Sequence, residues 1–188
     1  MNAQPEQEPI TIREYRADDW DAIARIHDAA RLDELRSSVG VEAFLSLAET
    51  AEPEGLFDGR VWVALLAGHV AGFAAATDDE LTWLYVAPQH YRRGVGRALL
   101  RHVLSGADQV LETEVLDGND AALSLYLGEG FVLVETKQGR LVGNEKFAAT
   151  GHLLRPAGKA HVQSTKHLLE HCRRAPDVVL SCFCPNHH

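Results

Sequence analysis

Cysteine and long apolar runs are scarce in this chain of 188 residues, and each absence excludes a class of protein. The three cysteines stand close together near the C-terminal end, and an odd number in such a cluster does not predict a disulfide framework. No apolar run approaches the ~18 residues that a membrane span requires, so we expect no membrane partner. Residues 1–9 lack the apolar core of a signal peptide, which predicts a disordered N-terminus and a cytoplasmic protein.

Positive charge is also in short supply. The formal net charge is −9, with 27 acidic residues against 18 lysines and arginines, and a chain with this balance is not expected to bind nucleic acid. Residues 1–60 hold fourteen acidic residues against six arginines, which is most of the imbalance. Such a distribution is typical of solvated helix surfaces, and the alternative is an electrostatic field that attracts a cationic molecule. Length and apolar content otherwise indicate one soluble globular domain.

One stretch of the chain combines a strand, a glycine turn and a helix. Residues 81–86 are apolar and aromatic, which predicts a buried strand, and Pro88 ends it because proline cannot donate to a ladder. The turn that follows contains Gly94 and Gly96, and residues 95–104 then repeat apolar positions at helical spacing. The uncapped amides and the positive dipole at such a helix start favour an anion, and here we expect a pyrophosphate.

Two common nucleotide-binding patterns do not match this stretch. A P-loop requires Lys-Ser/Thr after its second glycine, where the sequence has Arg97-Ala98. A dinucleotide-binding turn requires a third glycine, where the sequence has Leu99. The two glycines alone are also compatible with a tight strand-to-helix turn that binds nothing.

The stretch resembles motif A of the GCN5-related N-acetyltransferase (GNAT) family, which consists of enzymes that use acyl-CoA. Val86, Pro88, Gly94 and Gly96 match this motif in identity and spacing. Tyr91 departs from it, because the family usually has Gln or Arg at this position. In the family the backbone amides of the loop hold the CoA pyrophosphate, so we expect Tyr91 to alter the detail of binding without abolishing it.

A second stretch resembles motif B of the same family. Its residues are Asn119, Ala122, Tyr126, Gly130 and Phe131, each at the spacing of the motif. Because both motifs occur in the family's order, the chain is identified as a member of the GNAT family over residues 10–155. The resemblance implies an α/β fold of the α+β type. A mixed, mostly antiparallel central sheet is flanked by helices, and its strands splay apart at the acyl-CoA site.

The resemblance also implies a function. The expected activity is acetyl-CoA-dependent N-acetyl transfer, by direct attack, to a primary amine of a small molecule or protein, with acetyl-CoA as co-substrate. The alternative is a non-catalytic acyl-CoA-binding or regulatory module with the same fold. Formation of a homodimer is left open. The residues expected to bind acetyl-CoA are Leu84, Tyr85, Val86, Tyr91, Arg92, Arg93, Gly94, Val95, Gly96, Arg97, Asn119 and Tyr126.

Acyl transfer to an amine requires a base and benefits from an acid. A free amine has a pKa of ~10 and must be neutral before it attacks. Glu80 begins the central strand and Glu114 lies on the next one, and each stands where a branch of the family carries its base, so both are candidates. Tyr126 stands at the family's general-acid position. The structural alternatives are solvated or ion-paired glutamates and a tyrosine that belongs to the core.

Periodicity and turn residues predict the remaining elements. Strands are expected at residues 10–16, 61–66, 70–76, 109–116, 131–136 and 147–154, a second helical stretch at residues 41–48, and a long loop at residues 137–146. Residues 156–188 have no counterpart in the family and are expected to be a poorly ordered tail. This tail is rich in histidine and cysteine but lacks the Cys-x-x-Cys spacing usual in zinc sites, so we expect no metal. The alternative is that the tail is a metal-dependent interaction element.

Overall fold

The computed structural model of the protein describes residues 8–158 and the backbone of residues 179–180. The strands are β1 Ile10–Glu14, β2 Arg60–Leu66, β3 His69–Ala76, β4 Leu81–Val86, β5 Thr113–Leu116, β6 Phe131–Leu141, β7 Ala148–Pro156 and β8 Val179–Leu180. The helices are α1 Trp20–Ser37, α2 Leu47–Thr50, α3 Val95–Ser105 and α4 Asp120–Gly128. Within these described ranges, no helix is long and apolar enough to cross a membrane. The histidines and cysteines of the tail lie outside them.

The first sheet contains β1 to β4 in chain order, and every neighbouring pair is antiparallel. The predicted β2–β3 hairpin turns at Ala67 and Gly68, which adopt left-handed φ values of 51° and 78°, as a two-residue hairpin turn of this kind requires. On β3, a Cβ at Gly72 would lie 2.7 Å from the Tyr85 carbonyl oxygen. Glycine therefore permits the close approach of β4 to β3.

The second sheet has the order β5–β7–β6–β8 and is antiparallel except where β8 pairs with β6. Among the described residues, the two sheets join at the bridge between Glu80 and Glu112, where the Leu81 amide donates to the Glu112 carbonyl over 2.8 Å. Past this bridge, no backbone hydrogen bond links β4 to β5 in the described part of the chain. The predicted α/β architecture, with a mostly antiparallel sheet and splayed strands, is confirmed.

Alternation along the first sheet builds two cores, one on each face. On β2, Val61 and Val63 face the core formed with α1 and α2, whereas Trp62 and Ala64 face the core formed with α3 and α4. Trp83 of β4 is fully buried in the first core. β4 thus contributes to both cores, with Trp83 in the first and Leu81 in the second.

Three predicted elements differ most from those observed. The stretch at residues 41–48 contains a 3₁₀ turn at Val41–Ala43 and then α2, which begins at a capping box between Ser46 and Glu49. β5 begins only at Thr113. β6 continues to Leu141 although its second half is polar, because β7 supplies a full backbone ladder there, so most of the predicted loop at residues 137–146 is strand.

Gly118, in the turn between β5 and α4, packs directly against the end of α1. Its φ is +92°, and an added Cβ would lie 2.0 Å from the Ser37 carbonyl oxygen. Gly118→Ala should therefore lower the free energy of unfolding by more than the ~1–2 kcal/mol of left-handed backbone strain alone. Gly68→Ala is the matched control, because φ is +78° and no heavy atom lies within 4 Å of its added Cβ. Equal losses for the two variants in urea unfolding would contradict the close approach.

Candidate active site

A cleft of about 870 Å³ opens where β4 and β5 diverge. Its walls come from α1, β4, the loop before α3, β5, the first turn of α3 and most of α4. The cleft brings together all but two of the residues that the sequence predicted for the site. Those present are Leu84, Tyr85, Val86, Tyr91, Arg92, Gly94, Val95, Gly96, Arg97, Glu114, Asn119 and Tyr126, and those absent from its lining are Glu80 and Arg93.

The loop before α3 forms the end of the cleft that suits an anion. Arg92 and Gly94 adopt left-handed φ values of 61° and 84°, and a left-handed backbone at a non-glycine residue is uncommon and concentrates at functional sites. The first backbone hydrogen bond into α3 runs from the Ala98 amide to the Gly94 carbonyl, at 2.9 Å. The amides of residues 95–97 therefore precede the helical ladder at the positive end of the helix dipole.

The arginines of this loop and of the first turn of α3 differ in their contacts. Arg93 is paired with Glu8 at 3.2 Å and is not among the residues that line the cleft. Arg97 lines the cleft but is paired with Glu129 at 2.8 Å. Arg92 lines the cleft, and its guanidinium makes no ion pair within residues 8–158. Of the three, Arg92 is therefore best placed to meet an anionic ligand.

Tyr91, the residue that departs from motif A, connects the loop to α1. Its hydroxyl donates to Asp33 Oδ2 at 3.3 Å. Burial, together with the negative charge of Asp33, raises the pKa of Tyr91 to about 12. The tyrosine therefore acts as a neutral donor that holds the loop against α1, a contact that the residue type alone did not indicate.

Motif B contributes to the cleft wall through the cap and the turns of α4. The Asn119 side chain caps the helix, because its Oδ1 accepts from the Ala122 amide at 3.1 Å. Tyr126 is only 5% exposed and lies in the cleft lining, with its ring centroid 5.4 Å from that of Phe131. The tyrosine is thus both a core residue and a wall of the cleft.

The two candidate bases occupy different places. Glu114 lies on β5 in the cleft wall, and burial raises its pKa above the ordinary range, with Lys137 opposing and Glu112 and Glu135 adding to the increase. Glu80 lies at the bridge between the sheets, outside the cleft lining. Burial, followed by the negative charges of Glu114, Asp79 and Glu112, raises the pKa of Glu80 to about 8. Geometry thus favours Glu114 for contact with a substrate.

The raised pKa of Glu80 makes stability depend on pH. The folded protein holds this proton above pH 4.5, where the unfolded chain has lost it, so the free energy of unfolding should fall between about pH 4.5 and pH 8. Glu80→Gln should remove roughly 1–3 kcal/mol of that decline, allowing for partial solvent screening at ~1.36 kcal/mol per pKa unit. Urea unfolding across this pH range measures the decline in the free energy of unfolding. The control Glu52→Gln, at an exposed residue, should show the same decline as the wild type. If the free energy of unfolding declines equally with pH in the wild type and in Glu80→Gln, Glu80 is not the cause of the decline.

Glu34 of α1 is a cleft residue that the sequence did not reveal. Its carboxylate accepts from Arg31 Nη1 at 2.7 Å, from the Tyr85 hydroxyl at 3.2 Å and from Asn119 Nδ2 at 3.2 Å. The only signal in the sequence was the Arg31–Glu34 spacing of three residues on a helix, which is common on solvated surfaces.

A second polar cluster lies beside α1, around a cavity of about 10 Å³ that has room for one water molecule. Burial lowers the pKa of His27 and raises that of Glu54 to about 7, with Arg31 opposing the increase at Glu54. Residues 8–158 contain no group of three or more histidine, cysteine, aspartate or glutamate side chains arranged to hold a metal ion.

Comparison with known proteins agrees with this geometry. Residues 57–133 match the family model for the acetyltransferase (GNAT) domain. The chain is 25% identical over 132 residues to the N-acetyltransferase YafP of Escherichia coli, covering 69% of this chain and 85% of the relative. It is 31% identical over 81 residues to the peptidyl-lysine N-acetyltransferase YiaC of Escherichia coli, covering 43% of this chain and 55% of that relative.

The fold has a close counterpart among solved structures. The structure of YncA from Salmonella typhimurium with its cofactor acetyl-CoA superposes with a TM-score of 0.60 at 20% identity, covering 83% of this chain and 98% of that one. At this identity the likeness concerns the fold. Together, these comparisons show that the chain is similar to the GCN5-related N-acetyltransferase family, in sequence over residues 57–133 and in fold over most of its length.

Proposed function

We propose that the protein transfers an acetyl group from acetyl-CoA to a primary amine that is positively charged in solution. The observation that carries this proposal is the cleft between β4 and β5. It joins a loop suited to an anion, the β4 edge that diverges from β5, and several acidic side chains in one space. Its volume of about 870 Å³ is within the range of pockets that hold ligands of cofactor size.

Acetyl-CoA fits the residues of the cleft. The amides that begin α3 and the guanidinium of Arg92 would hold the pyrophosphate, since a helix start binds anions through its free N–H groups. The β4 edge at residues 84–86, which shares no backbone hydrogen bond with β5 within residues 8–158, offers backbone donors and acceptors to the amide-containing arm of the cofactor. Bound acetyl-CoA supplies the activated acetyl group.

Glu114 and Tyr126 are the proposed base and acid. As the new N–C bond forms and the C–S bond breaks, Glu114 would take the proton that the amine loses, directly or through water. Its raised pKa brings it closer to neutral pH, where a general base is most effective. Tyr126 would supply a proton to the departing sulfur. Glu80, outside the cleft lining, is the second candidate for the base.

The charge of the cleft supports a cationic acceptor. Asp33, Glu34, Glu114 and Asp120 all contribute to its lining, with Asp33 paired to Arg36 and Glu34 paired to Arg31. An acidic cleft raises the local concentration of positively charged ligands. The relative YiaC carries the name of a peptidyl-lysine N-acetyltransferase, so a lysine side chain is the first acceptor to test.

An acceptor panel tests this proposal. Thiol release from acetyl-CoA is measured with a lysine-containing peptide, with the same peptide carrying a free N-terminus and blocked lysines, and with an anionic amine such as glutamate. The expected result is turnover with one or both cationic acceptors, with thiol and acetylated product in equal amounts, and little with glutamate. Acetyl-CoA binding without turnover of any amine would support the non-catalytic alternative.

A further inference from the structure

We infer that Glu34 is a positioning residue, which holds Asn119 on one side of the acetyl-CoA cleft at a fixed distance from Tyr85 on the other side. The inference rests on the proposed function and names a residue of α1 outside both sequence motifs. The Glu34 side chain is 11% exposed and lines the cleft. Its carboxylate connects α1 to β4 through Tyr85 and to the start of α4 through Asn119.

These contacts span the gap between the diverging strands. β4 and β5 share no backbone hydrogen bond beyond the bridge near Leu81 within residues 8–158, so other groups must set the width of the opening. The Glu34 carboxylate reaches both sides at 3.2 Å. The close packing of Gly118 against Ser37 brings the end of α1 next to Asn119. Glu34 is therefore placed to set this width.

Glu34 also determines the orientation of the Asn119 side-chain amide. One oxygen, Oε1, accepts from Asn119 Nδ2, so Asn119 Oδ1 must turn towards the Ala122 amide, which it caps at 3.1 Å. The other oxygen, Oε2, accepts from both Arg31 and Tyr85. Each side-chain oxygen thus has a distinct set of donors, and a group with only one oxygen cannot satisfy both.

Glu34→Gln tests this arrangement because it keeps the shape and removes one acceptor. If the glutamine oxygen stays with Arg31 and Tyr85, its NH₂ group opposes Asn119 Nδ2, and two donors face each other. Turning the Asn119 amide relieves that conflict but places Nδ2 against the Ala122 amide and breaks the cap. We expect the KM for acetyl-CoA to rise more than kcat falls, by up to about 10²-fold, as misplaced binding groups do.

Asn119→Asp is the complementary substitution, because it replaces the amide donor that faces Glu34 with an acceptor. Alone, it sets two carboxylates against each other and should also weaken acetyl-CoA binding. Combined with Glu34→Gln, it gives the glutamine NH₂ an acceptor, while the second aspartate oxygen keeps the cap. Glu34→Gln should therefore harm the wild-type protein but improve the Asn119→Asp variant. The exposed Glu52→Gln, with the same change of charge, should alter neither value by more than a few-fold.

The measurement is acetyl-CoA affinity by calorimetry for wild type, both single variants and the double variant, together with KM and kcat. Circular dichroism confirms that each is folded at the temperature used. An opposite sign of the Glu34→Gln effect in the two backgrounds supports the inference. Additive losses, or a lower melting temperature with unchanged affinity, would overturn it. A wild-type protein that binds acetyl-CoA but acetylates no amine would instead overturn the proposed function, while the affinity comparison still tests Glu34.

Discussion

Gly94→Asp is expected to abolish acetyl-CoA binding in calorimetric titration while leaving the protein folded. Gly94 precedes α3 with a left-handed φ of 84° and lines the cleft. An aspartate there would place a negative charge and added side-chain volume at the helix start, where the pyrophosphate is proposed to lie. Asparagine and aspartate tolerate left-handed geometry better than most residues, so the expected loss is one of binding and not of the fold.

Gly68→Asp is the control for backbone strain. Gly68 has a similar φ of 78°, and no heavy atom lies within 4 Å of its added Cβ. It belongs to the β2–β3 turn, outside the cleft lining. Gly68→Asp should bind acetyl-CoA like the wild type and should lose about as much stability as Gly94→Asp. Unchanged affinity of Gly94→Asp would show that the loop before α3 does not bind the cofactor.

Tyr126→Phe is expected to reduce kcat by ~10²–10⁴-fold, the usual contribution of a general acid or base, with little change in acetyl-CoA affinity. Phenylalanine fills the same buried space, because the tyrosine is only 5% exposed and its ring already packs against Phe131. Tyr15→Phe, at a partly buried tyrosine outside the cleft lining, should leave kcat unchanged. Full kcat for Tyr126→Phe would contradict its assignment as the acid.

The same kinetic comparison identifies the base. Glu114→Gln should lower kcat more at neutral pH than at alkaline pH, because an amine with a pKa of ~10 deprotonates unaided at high pH. Glu80→Gln should change stability without this recovery. If kcat recovers at alkaline pH in Glu80→Gln but not in Glu114→Gln, Glu80 would be the base and Glu114 a structural residue. If neither variant recovers, positioning of the substrates by the cleft would be the main catalytic contribution.

The sequence predicted those parts of the site whose structure is determined by residues close together along the chain. The strand, Pro88 and the glycine turn lie within one continuous stretch, and local geometry there determines where the free amides occur. Asn119 and Tyr126 belong to one short helix and its cap. That the two motifs meet in one cleft was predicted from the family resemblance, because their separation along the chain does not indicate whether they are close in space.

Glu34 could not be predicted because its contacts are distant in sequence. Tyr85 lies 51 residues from it and Asn119 lies 85 residues from it. The choice between Glu80 and Glu114 was likewise hidden, because it depends on where β4 and β5 separate. The length of β6 was underestimated for a related reason: residues 137–140 are polar, and their strand conformation comes from pairing with β7.

The most direct test of acetyl-CoA binding between β4 and β5 is a titration of isotopically labelled protein with acetyl-CoA, followed by backbone amide chemical shifts. The largest changes should occur at residues 84–86 of the β4 edge and at residues 92–97 of the loop and first turn of α3, all of which lie within the described structure. Amides of the β2–β3 turn should not move. Saturable shifts confined to another surface, or none at millimolar acetyl-CoA, would contradict the account.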